Sequence, residues 1–287
     1  MQVTKAARTQ PSGILVLPVV LFLATFYILP GVFVILMSIG HPPSFSLRTE
    51  LITAANFERL FGSAYYLKVL VRTIALGFAV GIVTAVLAYP IAYYLVRSSS
   101  RFRSVMYFLT LIPMAVGMNM ITLGWLVVLG RYGLINSMLL SIGIVREPLT
   151  MMYTWGAMIV GLTNVLFTFM ALPIAAVLRT IDPSIEQAAR NLGAGALRAF
   201  IFVTLPLSLE GVATGFLAVF MLSSGALVLP MLLGGQGETI LPVLIWEQYS
   251  VANDRNFSAA LAVVLLFFSL MVLLLQLHMT RMRRVLT

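Results

Sequence analysis

Two histidines, two lysines and no cysteine are what this chain of 287 residues offers to metal or nucleophilic chemistry. His41 and His278 fall in different segments, without the clustered partners a zinc site needs, so each reads as a solvated side chain. Lys5 and Lys68 do not follow the glycine of a G-x-x-x-x-G-K-[ST] loop, and neither G-x-S-x-G nor H-E-x-x-H occurs. Such a chain is expected to hold no ATPase site, no metal and no cofactor of its own. The stretch that gathers charge in helix-forming order is Glu186 to Pro206, EQAARNLGAGALRAFIFVTLP. Its chemistry is that of a surface offered to another protein or to lipid headgroups.

What must position that stretch is a membrane-spanning bundle. Hydrophobic residues make up 61% of the chain and charged residues 9%, and the mean hydropathy is +1.04, which marks an integral membrane protein. Crossing ~30 Å of hydrocarbon takes about 20 helical residues. Six runs without Asp, Glu, Lys or Arg are that long: Ile14–Ile39, Thr73–Val96, Ser104–Gly130, Leu149–Leu178, Gly211–Gly237 and Phe257–Leu277, the fifth crossing over 211–233. Their continuity argues for helices, since barrel strands alternate over ~10 residues. The expected fold is all-α, one domain over 1–287 with six transmembrane helices. Lys5 and Arg8 precede the first run as in a secretory signal, but the run is too long for a cleaved apolar core and reads as a retained span.

Basic residues set the orientation. Arg97, Arg101 and Arg103 crowd one short loop and Arg281, Arg283 and Arg284 the tail, which places both termini in the cytoplasm. Asp182, Glu186 and Glu210 fall on that side, so no ionisable group is expected inside a span. The net charge of +9 is then a topology signal and implies no nucleic-acid partner.

The segment between the fourth and fifth spans, residues 179–207, reads as two short helices. Asp182 before Pro183 makes one N-cap, and Ser184 with Gln187 has the spacing of a capping box. Ile185, Ala188, Ala189 and Leu192 form one apolar stripe, with Glu186, Gln187, Arg190 and Asn191 opposite, and Gly193 is placed to stop the helix in the left-handed conformation. A second helix fits Ala196 to Thr204, with Leu197, Phe200 and Ile201 facing the membrane until Leu205-Pro206 breaks it. Pattern alone leaves two readings, a connector lying on lipid headgroups or a docking element.

The spacing E-Q-A-A-x-x-L-G-A followed by F-x-x-V-x-L-P-L resembles the EAA loop of permease subunits in binding-protein-dependent ABC importers, with Gln187 where alanine is most frequent. Trp125, Leu129-Gly130, Gly133 and Asn136 are similar to a passage of the spermidine/putrescine permease group, as are Leu229-Pro230, Leu233-Gly234-Gly235 and Ala259-Ala260-Leu261. Ile121-Thr122-Leu123-Gly124 and Arg255-Asn256-Phe257 depart from that group, where Arg-Thr-Tyr-Ala and Asp-Trp-Pro are usual. The resemblance implies the type I importer permease fold in a bacterial inner membrane. It also implies a coupling loop made by Glu186, Gln187, Ala188, Ala189, Arg190, Gly193, Leu205 and Pro206. Implied partners are two ATPase subunits that bind ATP and Mg, a second permease subunit and a periplasmic solute-binding protein.

A path for solute would be built from neutral groups, and the candidates within spans are Asn119, Trp125, Asn164, Ser223 and Ser224. Interhelical hydrogen bonding and packing are the competing roles for each. Polyamine-like cations fit the resemblance; opines, aminophosphonates and other small polar solutes use similar permeases. An ion-coupled carrier is the reading from a different class, and the expected lack of an intramembrane relay argues against it.

Overall fold

A computed structural model describes residues 12–40 and 53–286. Lys5, Arg8 and His41 lie outside the described residues, as do the side chains of Arg281, Arg283 and Arg284. Among the described residues all regular structure is helical, and six helices are long and apolar enough to cross a membrane.

Prolines shape the first and fifth of these. The first span is α1 (Ser12–Leu23), a π turn over Ala24–Ile28 and α2 (Leu29–Ser38). A short α3 (Ala55–Phe61) then leads into α4 (Ala64–Arg97), which carries Pro90 in its interior. Past the fourth span come α9 (Pro183–Asn191) and α10 (Ala196–Ala199), then a π turn over Phe200–Thr204 and α11 (Leu205–Ser224). Both π turns precede a proline, Pro30 and Pro206. A proline lacks its N–H and presses on the carbonyl four residues back, and a widened turn accommodates both. The break expected at Leu205-Pro206 is therefore absent: one continuous helix runs over Ala196–Ser224, and the fifth span starts well before Gly211.

That continuity corrects a second expectation. Glu210 stands at the middle of Ala196–Ser224, so an ionisable group does lie within a span. The charge-free run had placed it outside because the run begins one residue later.

The third apolar run is divided. Ser104–Gly130 is two helices, α5 (Phe102–Ala115) and α6 (Met118–Leu129), separated by extended backbone at Val116 (ψ 125°) and Gly117 (ψ 140°). Pro113 and Gly117, two poor helix formers, bracket the break. From α6 the chain turns through Gly130–Gly133 into α7 (Leu134–Ser141), then enters α8 (Trp155–Thr180), whose N-cap Thr154 accepts from Ala157 N–H at 3.2 Å. The fifth run likewise divides at Gly225, giving α12 (Val228–Leu233), and α13 (Leu241–Ser250) lies before α14 (Arg255–Leu286).

Among the described residues, three helices make the centre of the larger of two apolar cores. Leu76, Val80 and Ala88 of α4, Leu162, Met170 and Ile174 of α8 and Val219 of α11 are buried together. Lipid tails give helices little hydrophobic reason to associate, so close backbone approach and polar links carry the contact. A Cβ on Gly211 would stand 2.9 Å from the Pro173 carbonyl, and one on Gly215 would stand 3.1 Å from Met170 Cα. Tyr89 Oη and Ser208 Oγ lie 2.6 Å apart between α4 and α11, and Thr168 Oγ1 of α8 donates to the Thr110 carbonyl of α5 at 2.5 Å. At the opposite end of the bundle, buried Asn136 joins two strips of loop: its Nδ2 donates to the Gly130 and Leu149 carbonyls and its Oδ1 accepts from Leu149 N–H.

Candidate functional site

α9 begins and ends as its residues dictate. Asp182 is the N-cap of the two offered by the sequence, its Oδ1 accepting from Ser184 N–H at 2.8 Å, with Pro183 in the first turn. That hydrogen bond holds the exposed Asp182 carboxyl below its ordinary range. Gly193 takes φ +91°, and the reciprocal bonds Gly193 N–H to Arg190 carbonyl (3.0 Å) and Ala194 N–H to Ala189 carbonyl (3.1 Å) close the helix in a Schellman motif.

The face α9 turns inward is not the apolar stripe. Glu186 is 8% exposed, whereas Ile185 is 45% and Leu192 90% exposed. Polarity decided the orientation because the buried carboxylate is fully furnished. It accepts from Arg190 Nη2 at 2.7 Å, Tyr93 Oη at 3.1 Å and Thr204 Oγ1 at 3.2 Å. Burial pushes the Glu186 carboxyl up; the hydrogen bonds from Arg190, Tyr93 and Thr204 outweigh it and hold the group below the usual carboxylate range. Tyr93 is on α4 and Thr204 at the start of α11, so one side chain ties α9 to two core helices. Nearby, Arg97 Nη2 donates to the Ile181 carbonyl at 3.0 Å, fastening the chain just ahead of α9.

Phe200 also departs from expectation. Rather than facing the membrane beside Leu197 and Ile201, it packs edge-on against the rings of Tyr89 and Tyr93, at 5.4 and 5.6 Å between centroids. These residues line an apolar recess of about 420 Å³ with Val86, Pro90 and Leu205. Leu197, Ile185 and Leu192 form an outward apolar set, with Ala188 and the polar Gln187 and Arg190 exposed among them. Leu205 and Pro206 belong to the helix of the fifth span, and Ala189 is half-buried.

The candidates for a solute path separate into two groups. Trp125 packs against the core, Ser223 is fully buried and donates to the Phe220 carbonyl at 3.1 Å, and Ser224 is buried beside Gly77. Asn119 at the start of α6 and Asn164 on α8 are exposed. Tyr93 and Thr204, the partners of Glu186, and Arg97, the partner of the Ile181 carbonyl, were not legible as such. The one available signal was a tyrosine pair, Tyr93-Tyr94, at the basic end of the second span.

The family profile described as the binding-protein-dependent transport system inner membrane component matches residues 77–285. The spermidine/putrescine transport system permease protein PotB of Escherichia coli (strain K12) is 28% identical over 251 residues, covering 88% of this chain and 91% of that protein. The inner membrane ABC transporter permease protein YdcU of the same organism is 29% identical over 236 residues, covering 77% and 74%. A chain of the crystal structure of a bacterial alginate ABC transporter, in complex with an alginate pentasaccharide-bound periplasmic protein, superposes with a TM-score of 0.76 at 17% identity, covering 94% of this chain and 93% of that one. With six apolar helices in this fold and a family match over most of its length, the chain belongs to the inner membrane components of binding-protein-dependent transport systems and is an ABC importer permease subunit.

Proposed function

We propose that α9, held by Glu186, is the element through which partner ATPase subunits drive the spans. The observation that carries this is the pinning of α9 to α4 and α11 while Ile185, Leu192 and Leu197 point outward. An element bound rigidly to the bundle and open on its other face transmits a push, whereas a connector lying loosely on lipid would not. In this reading Glu186, Tyr93 and Thr204 position the helix, Gly193 fixes its end, and Gln187, Arg190 and the apolar set meet the ATPase. Two such subunits bind ATP and Mg and close on nucleotide. The motion passes through segment 182–205 into α11, and the bundle alternates between outward and inward states biased by ATP and by the loaded periplasmic protein.

Six spans form half a path, so a second permease subunit completes it, with both termini of this chain in the cytoplasm as the basic loops favour. The solute we infer is a polyamine-like organic cation, supported by the spermidine/putrescine relatives. ATP-dependent uptake of labelled putrescine and spermidine into proteoliposomes holding the whole complex tests this. Gly193→Pro should abolish uptake while the chain still inserts; full uptake by that variant removes α9 from the coupling route.

A further inference from the structure

The break between α5 and α6 interrupts an apolar run long enough to cross a membrane, where irregular backbone is hardest to accommodate. Val116 and Gly117 fall at the midpoint of the charge-free run Ser104–Gly130, and Asn164 at the midpoint of Leu149–Leu178. Two contacts put them at matching depth. Thr168 of α8 bonds Thr110 of α5, and Asn136 joins Gly130, after α6, to Leu149, before α8, so the two passages run antiparallel. Asn164 is then about one turn back from Thr168, and the break nearly two turns on from Thr110, in the same direction, within about one turn of each other in depth.

At the break the helical ladder stops. Val116 N–H bonds back to the Ile112 carbonyl, and the next bonds, from Met120 and Ile121, are accepted by Gly117. The last carbonyls of α5 therefore fall outside any helix. Gly117 and Asn119 are exposed, and so is Asn164, on a helix otherwise among the most buried of the bundle. Non-helical backbone and free carboxamides at this depth are tolerated where they line a water-filled cavity or are sealed by protein, and not against lipid.

We propose that Val116–Gly117, Asn119 and Asn164 form a neutral polar girdle on the solute path at mid-membrane. This rests on the transport reading above and adds the recognition chemistry. α5, α6 and α8 contain no Asp or Glu, so solute is met here by backbone carbonyls and amide groups. A solute rich in N–H or O–H donors satisfies the carbonyls and the two Oδ1 atoms in turn, and its charge is not neutralised at this level. Placing neutral acceptors at the centre lets a polar solute exchange its water shell without being trapped.

The absence of native cysteine makes the test direct. Single cysteines at Asn119 and Asn164 are compared with one at Phe22, exposed on the first span, in vesicles of both orientations holding the assembled transporter. The probe is a charged, membrane-impermeant methanethiosulfonate. Fast labelling at 119 and 164 with little at 22 is expected; rates at 119 and 164 no faster than at 22 overturn the girdle. In the same preparation Asn164→Leu should lower putrescine uptake by about tenfold or more and Asn164→Gln restore most of it, as leaving polar groups unpaired predicts; equal uptake by both variants also overturns it. Uptake that proves independent of ATP would instead remove the coupling reading and leave the labelling contrast standing.

Discussion

The Tyr93 hydroxyl donates to the Glu186 carboxylate at 3.1 Å, joining the second span to the short helix between the fourth and fifth spans. The pair makes the apolar side of α9 the outer side. Had the helix been placed by hydrophobicity, Ile185 and Leu192 would be inside and the carboxylate in water.

Removing the anchor should uncouple rather than unfold. Glu186→Gln keeps the shape but loses the charge-assisted bonds, each worth about 1.5–3 kcal/mol in a buried setting and less at this partly wet site. Uptake should fall steeply while nucleotide hydrolysis by the complex persists. Tyr93→Phe should give a milder version of the same split, and parallel kinetics of uptake and phosphate release would measure both.

Acid should release α9. Because the folded pKa of Glu186 lies below its ordinary 4.5, the unfolded form binds protons first as pH falls, so the anchor is fully present above that value and is lost as pH drops through the folded pKa. Amide hydrogen exchange of α9, corrected for intrinsic rates, should be flat from about pH 7 to about pH 5 and rise below that range. In Glu186→Gln the rise should be missing.

Backbone handedness gives a third outcome. With φ at +91°, Gly193→Ala should cost about 1–2 kcal/mol, and Gly193→Asn less, because asparagine tolerates the left-handed region better. Thermal unfolding of the purified complex would rank the variants Gly, Asn, Ala.

Core packing gives a fourth. Gly215→Leu would drive a side chain into Met170 of α8, and Gly211→Leu into Pro173. Overpacking of this kind costs about 1–3 kcal/mol or more. Lower yield of folded chain in the membrane is expected for both, whereas Gly124→Leu, with open space around it, should leave yield unchanged.

Much of this was legible in the sequence where one physical rule dominated. Hydrocarbon thickness selected the helices, and Asp182-Pro183 and Gly193 marked the ends of α9 because capping depends on neighbours in the chain. The rest depended on partners far away. Nothing near Glu186 announces that Tyr93 and Thr204 will meet it, so the sequence left open whether the stripe Ile185–Leu192 lies on lipid headgroups or docks a partner. Pro206 read as a stop because a π turn cannot be seen in composition, and Glu210 was set outside the span because a charge-free run starts only after the last charge. Gly117 gave too little signal to divide a run that was otherwise apolar throughout.

The central claim is that the outer face of α9 receives an ATPase subunit. A photo-crosslinking residue at Leu192, 90% exposed, in membranes holding the whole transporter tests it most directly, with Phe22 on the first span as the comparison. Capture of the purified complex's own ATP-binding subunit at 192 and not at 22 is the predicted result. Absence of that subunit from the Leu192 adduct, in membranes that still take up solute on ATP, would contradict it.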